Sequence, residues 1–182
     1  MSFQKQFLKA FMKKKFISIH TEQPDNDSYD GIIVALTQSY IIIAQELDYE
    51  FDGYVLIPRC NICGYRQSDV EQFSYNLMKS SGDITQLEIP NWMQQSKTNE
   101  NAFSAIMSHN PWMRISWVCP NCDDIHVDVG KLIAYDDESI SMDLYHKNGS
   151  YQGEMGWAMN KIYALEFDAK FLVKFANYFK NK

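Results

Sequence analysis

The chain repeats itself, and that constrains its folding more than any other feature. Residues 16 to 52 lie over 115 to 151 without a gap, and one added residue then brings 53 to 66 over 153 to 166. In the first copy FISIH is followed by a turn-rich acidic segment, then Gly31-Ile-Ile-Val-Ala-Leu, Ser39-Tyr-Ile-Ile-Ile-Ala, Phe51-Asp-Gly-Tyr-Val-Leu-Ile and Asn61-Ile-Cys-Gly-Tyr. The second copy keeps the order with Ile115-Ser-Trp-Val, Val129-Gly-Lys-Leu-Ile-Ala-Tyr, Ser139-Ile-Ser-Met-Asp-Leu, Tyr151-Gln-Gly-Glu-Met-Gly-Trp and Lys161-Ile-Tyr-Ala-Leu. Matched identities are few: Asp25/Asp124, Gly31/Gly130, Ala35/Ala134, Ile41/Ile140, Gly53/Gly153 and Ile62/Ile162. The weight of the match lies in glycines, apolar alternation and segment lengths that coincide together, as two descendants of one fold require.

Each copy holds about five short runs rich in Ile, Val, Tyr, Trp and Phe, separated by turn-forming stretches such as Gln23-Pro-Asp-Asn-Asp and His146-Lys-Asn-Gly-Ser. Short strands on short turns pair antiparallel. A glycine opening the second strand and another before the fourth suit a small, strongly bent barrel. Apolar residues three and four apart predict a helix on each flank of each copy. They are Phe3, Phe7, Leu8, Phe11 and Met12, then Val70, Phe73, Leu77 and Met78; around the second copy, Ala102, Phe103, Ile106 and Met107, then Phe171, Leu172, Phe175, Tyr178 and Phe179. The expected architecture is mainly β with flanking helices (α+β): two tandem five-stranded SH3/Sm-like antiparallel barrels, one in residues 1–82 and one in 83–182.

The second copy resembles the first motif of the Sm-like family of small barrels through Gly130, Leu132, the Tyr135-Asp136 pair and the alternating Ile140, Met142 and Leu144. In the first copy Leu36-Thr37 stands where the family has an aromatic residue and Asp. Arg59-Cys-Asn-Ile-Cys faintly echoes the family's second motif. The resemblance implies a helix-capped five-stranded barrel and, as in many members, RNA binding on a ring of subunits.

Charge points elsewhere. Residues 1–15 carry five lysines and residues 170–182 four, with no acid in either, so a whole-chain charge of −6 leaves −15 on the body. Residues 21 to 58 hold eight acids and no Lys or Arg. Such a surface repels phosphate backbones and attracts basic partners. The function expected is therefore that of a non-enzymatic binding protein, immunity- or inhibitor-like. Asp25, Asp27, Asp30, Glu46, Asp48, Glu50 and Asp52 would meet a basic protein partner. The alternatives are an Sm-like RNA-binding protein using the basic ends and a zinc-stabilised scaffold. Exposed edge strands leave room for a homo-oligomer.

Four cysteines fall in two C-x-x-C pairs. Cys119-Pro-Asn-Cys122 has the local spacing of a zinc knuckle, and His126 adds a third candidate ligand. Cys60 and Cys63 could complete a four-thiolate site, but the repeat maps them onto Asn160 and Tyr163, which favours plain buried thiols and no resident cofactor. Nucleophile elbow, phosphate loop and H-E-x-x-H are all missing from the sequence, and His20, His109, His126 and His146 are scattered, so no catalytic residue is assigned. The lysine-rich first helix has its apolar face explained by closing a barrel end rather than by a membrane. With no run long enough to span a bilayer and no secretory leader pattern, the expected address is cytoplasmic.

Overall fold

Strand register shows how the duplication is realised. The computed structural model describes residues 3–22, 28–87, 90–93, 98–119, 124–136 and 138–180. The first half runs α1 (Phe3–Met12), β1 (Phe16–Thr21), β2 (Ser28–Leu36), β3 (Tyr40–Leu47), β4 (Glu50–Pro58), β5 (Ile62–Arg66) and α2 (Asp69–Ser81). The second runs α3 (Asn99–His109), β6 (Trp112–Val118), β7 (Ile125–Tyr135), β8 (Ser139–Tyr145), β9 (Tyr151–Ala158), β10 (Ile162–Phe167) and α4 (Lys170–Lys180). Strand order is β5-β1-β2-β3-β4 in one and β10-β6-β7-β8-β9 in the other, so corresponding strands hold corresponding places.

Details recur with the topology. Register slips fall between Ile33 and Ala35 and between Leu132 and Ala134. A 3-10 turn follows β4 at Arg59–Asn61 and β9 at Met159–Lys161. Where the motif departs from its pattern, the turn survives by other chemistry: Asp136 accepts from the Ser139 N–H at 2.7 Å, and Thr37 accepts from the Tyr40 N–H at 3.1 Å. The register corrects the gapless sequence match at one point. Gly31 faces Ile17 and Gly130 faces Met113, so β1 matches β6 with Phe16 over Trp112, and the second hairpin is longer by three residues in its strands, the connections themselves being equal.

The expectation of two closed barrels is overturned. β4 pairs antiparallel with β10 through Leu56–Leu165, Val55–Glu166 and Tyr54–Phe167, and the two halves become one open ten-stranded sheet. The physical reason is that this edge is too apolar to face water. Leu56, Leu165 and Phe167 are buried, and the Tyr54 and Phe167 rings stack with centroids 5.4 Å apart.

Two cores follow. Under α1, Phe7 and Ala10 pack on Ile17, Ile19, Ile33, Ile41, Ile43, Val55 and Ile57. On the opposite face, Phe16, Ile32, Val34, Ile42 and Leu56 join Met78, Leu87, Met93, Phe103 and Ile106, and continue into Met113, Ile115, Leu132, Met142 and Leu165 of the second half. Thus β3 is apolar on both sides, as in Tyr40-Ile-Ile-Ile-Ala, whereas β8 alternates buried and half-buried residues because only one of its faces is covered. No described helix is long and apolar enough to cross a membrane.

Backbone approach explains the paired glycines. A Cβ on Gly31 would stand 2.0 Å from the Ala44 carbonyl oxygen, and one on Gly130 would stand 2.2 Å from that of Asp143. Gly31→Ala and Gly130→Ala should each cost roughly 2–3 kcal/mol through overpacking against rigid backbone. Gly64→Ala, whose nearest neighbour would be His20 Cβ at 3.9 Å, should change stability by less than about 0.5 kcal/mol. Urea unfolding with an unchanged m-value is the check.

Candidate functional site

The acidic residues assemble around the β3–β4 turn. Asp30 stands on β2, and its Oδ1 is buried without a hydrogen-bond partner among the described residues. Glu46 accepts from the Tyr49 N–H across a turn in which Asp48 and Tyr49 have φ of 53° and 64°. Burial pushes the Glu46 carboxyl above its ordinary range; the Tyr49 N–H opposes this, and the charges of Asp30 and Asp48 add to it. Asp30, Glu46 and Asp48 are therefore one electrostatic cluster. Glu50 and Asp52 are partly committed to the second half: Glu50 pairs with the Lys170 ammonium, and Asp52 accepts from the Lys170 backbone N–H at 3.0 Å, tying β4 to the start of α4. Asp25 and Asp27 lie outside the described residues.

Beside this turn runs α2, whose orientation leaves most of its apolar stripe in solvent. Of the predicted apolar face only Met78 is buried; Val70, Phe73 and Leu77 are 58%, 57% and 39% exposed, and Glu71, Ser74 and Met78 face inward instead. The cause is local. Glu71 accepts from the Ser68 N–H at 2.6 Å, the Ser68 hydroxyl at 2.7 Å and Arg66 Nε at 2.6 Å, and Ser68 in turn caps the Val70 N–H. This box fixes the helix rotation and turns the 70/73/77 stripe outward. Tyr49 meets Phe73 edge to face at 6.1 Å, so turn and helix form one apolar patch, with Leu47 also exposed in the turn. Its margin is Glu46, Asp48 and Glu50. Sequence periodicity found the stripe as one apolar helix face; the Ser68-x-x-Glu71 box was the available signal for which way that face turns.

The cysteines are placed differently from the plain-core expectation. Cys60 and Cys63 are exposed free thiols, and Cys119 is partly buried. A short 3-10 turn and an edge strand offer no apolar enclosure for the first two. Cys122 lies outside the described residues, and His126 stacks on Trp117 at 5.0 Å. Among the described residues no three His, Cys, Asp or Glu side chains gather as a metal cage.

Compared with family models, curated proteins and solved structures, the chain matches none.

Glu71 gives the patch a measurable dependence on pH. Burial raises its carboxyl, but the hydrogen bonds from Ser68 and Arg66 outweigh burial and hold it below its ordinary value. A depressed folded-state value means that the stabilisation is complete above the unfolded value and is lost as pH falls through the folded one. Glu71→Gln should cost about 1–2 kcal/mol at pH 7, and the gap to wild type should narrow as pH falls below the ordinary glutamate value and through the lower folded-state one. Thermal unfolding of both proteins across that range tests it.

Proposed function

We propose that this chain is a non-enzymatic binding protein that docks on a basic protein partner through the acid-rimmed aromatic patch of the β3–β4 turn and α2. The single observation carrying this reading is the exposed Tyr49–Phe73 contact, continuous with Val70 and Leu77 along one helix face and fringed by Asp48 and Glu50. An apolar centre with aromatic anchors supplies most of an interface's affinity, and a charged margin of one sign steers and orients a partner of the other. The same carboxylates oppose a phosphate backbone, so protein is favoured over nucleic acid as the occupant. Aromatic side chains in water are a standing cost that a partner relieves.

The test is affinity capture from the native host followed by mass spectrometry, using wild type, Phe73→Ala and the Asp48→Asn/Glu50→Gln pair as baits. A partner with excess Lys and Arg should be held by wild type and lost at least about tenfold by Phe73→Ala. The charge-neutralised bait should associate more slowly, with the difference vanishing at high salt. A partner held equally by all three baits would refute the reading.

A further inference from the structure

The patch has a counterpart in the second half with the opposite charge. Gln45 faces Gly31 as Leu144 faces Gly130, so the β3–β4 turn corresponds to the β8–β9 turn: Leu47 to His146, Asp48 to Lys147 and Tyr49 to Asn148. The helix that follows the fifth strand is α2 in one half and α4 in the other. Where the first half presents carboxylates, the second presents His146 and Lys147 on the turn and Lys174 on α4. Neither lysine makes an ion pair among the described residues.

Shape is inverted together with charge. In the first half the Tyr49 ring packs edge to face on Phe73 between turn and helix, and both side chains stand exposed. In the second half Asn148 and Gly149 are short, and a groove of about 970 Å³ opens between α4, the β8–β9 turn and β7. Among the described residues the only carboxylate lining it belongs to Asp128, which accepts from Trp117 Nε1 at 2.8 Å. Its walls are apolar: Phe171 and Tyr178 are exposed on the α4 side, and Val127 is exposed on the β7 side. Arg114 is fixed at the base, paired with Glu166 and lying 5.3 Å above the Phe171 ring.

We infer that the groove receives the acidic patch of a second copy of this chain. The Tyr49–Phe73 knob of one molecule enters between β7 and α4 of the next, and Asp48 and Glu50 meet Lys147 and Lys174. This rests on the reading of the patch as a docking surface and names the chemistry of one partner. Charge complementarity between the Asp48 and Glu50 carboxylates and the Lys147 and Lys174 ammonium groups selects this occupant. Because each molecule carries both a knob and a groove, the contact is head to tail and every copy added exposes a fresh site.

That asymmetry supplies a decisive test by sedimentation equilibrium at low salt. Wild type should show an average mass that climbs with concentration above the chain mass of 21.2 kDa and falls back as salt rises from about 0.05 M to about 0.5 M. Asp48→Ala/Phe73→Ala (no knob) and Lys147→Ala/Lys174→Ala (no basic groove) should each stay at the chain mass, yet their equimolar mixture, which keeps one intact knob and one intact groove while the two altered surfaces do not complement each other, should pair and stop at twice that mass. Phe73→Ala, which changes no charge, should weaken wild-type association at least about tenfold. A wild type that stays monomeric, a mixture that fails to pair, or association indifferent to all these changes would each overturn the inference. A monomeric wild type leaves the outcome of the capture assay unaffected, so the two readings fail separately.

Discussion

Everything about the molecule's arrangement depends on the pairing of β4 with β10. Only three residue pairs make the seam, but Leu56, Leu165, Tyr54 and Phe167 would stand in water without it. Burying the two leucines alone contributes roughly 3–6 kcal/mol. The seam also decides which faces are continuous. The face of the first half that lies away from α1 runs directly into the enclosed face of the second, so one core spans both halves and is roofed by α2, α3 and the segment between them. At the same seam Asp52 and Glu50 reach across to Lys170, which sets the start of α4.

From that arrangement the divergence of the copies follows. The first half has helices or linker on both faces of its sheet, and its strands have become apolar throughout: Ile41, Ile42 and Ile43 are all fully buried. The second half has one face partly open, and there it carries Lys131 and Asp143, paired across β7 and β8, where the first half has Ile32 and Ala44 paired across β2 and β3. Duplication produced two equal scaffolds, and joining them gave each a different environment. The two turns record the same divergence in charge, one acidic and filled, the other basic and hollow.

Much of this was legible in the residues. Ten short strands, four flanking helices and the recurrence of one order in both halves follow from periodicity, turn chemistry and matched glycines. What could not be read was whether each sheet closes on itself, because edge-strand alternation in Tyr54-Val-Leu-Ile is the same whether the partner strand comes from its own half or the other. The rotation of α2 was not legible from periodicity alone: the spacing of Val70, Phe73 and Leu77 marks an apolar face, and the inward pull of Glu71 decides which way it turns. Of the seven acids singled out, Asp30, Glu46 and Asp48 come together as a cluster, whereas Asp52 serves the backbone of α4, a long-range contact that spacing does not show.

The central claim is that two copies of one unit have become a single sheet with a single cooperative core, and native-state hydrogen exchange tests it most directly. The amides of Val55 in β4 and of Leu165 and Phe167 in β10 should exchange only by global opening, with the same free energy as the centres of β3 and β8. Seam amides that exchange well ahead of both strand centres, with the halves opening at different denaturant concentrations, would show two independent units merely lying side by side.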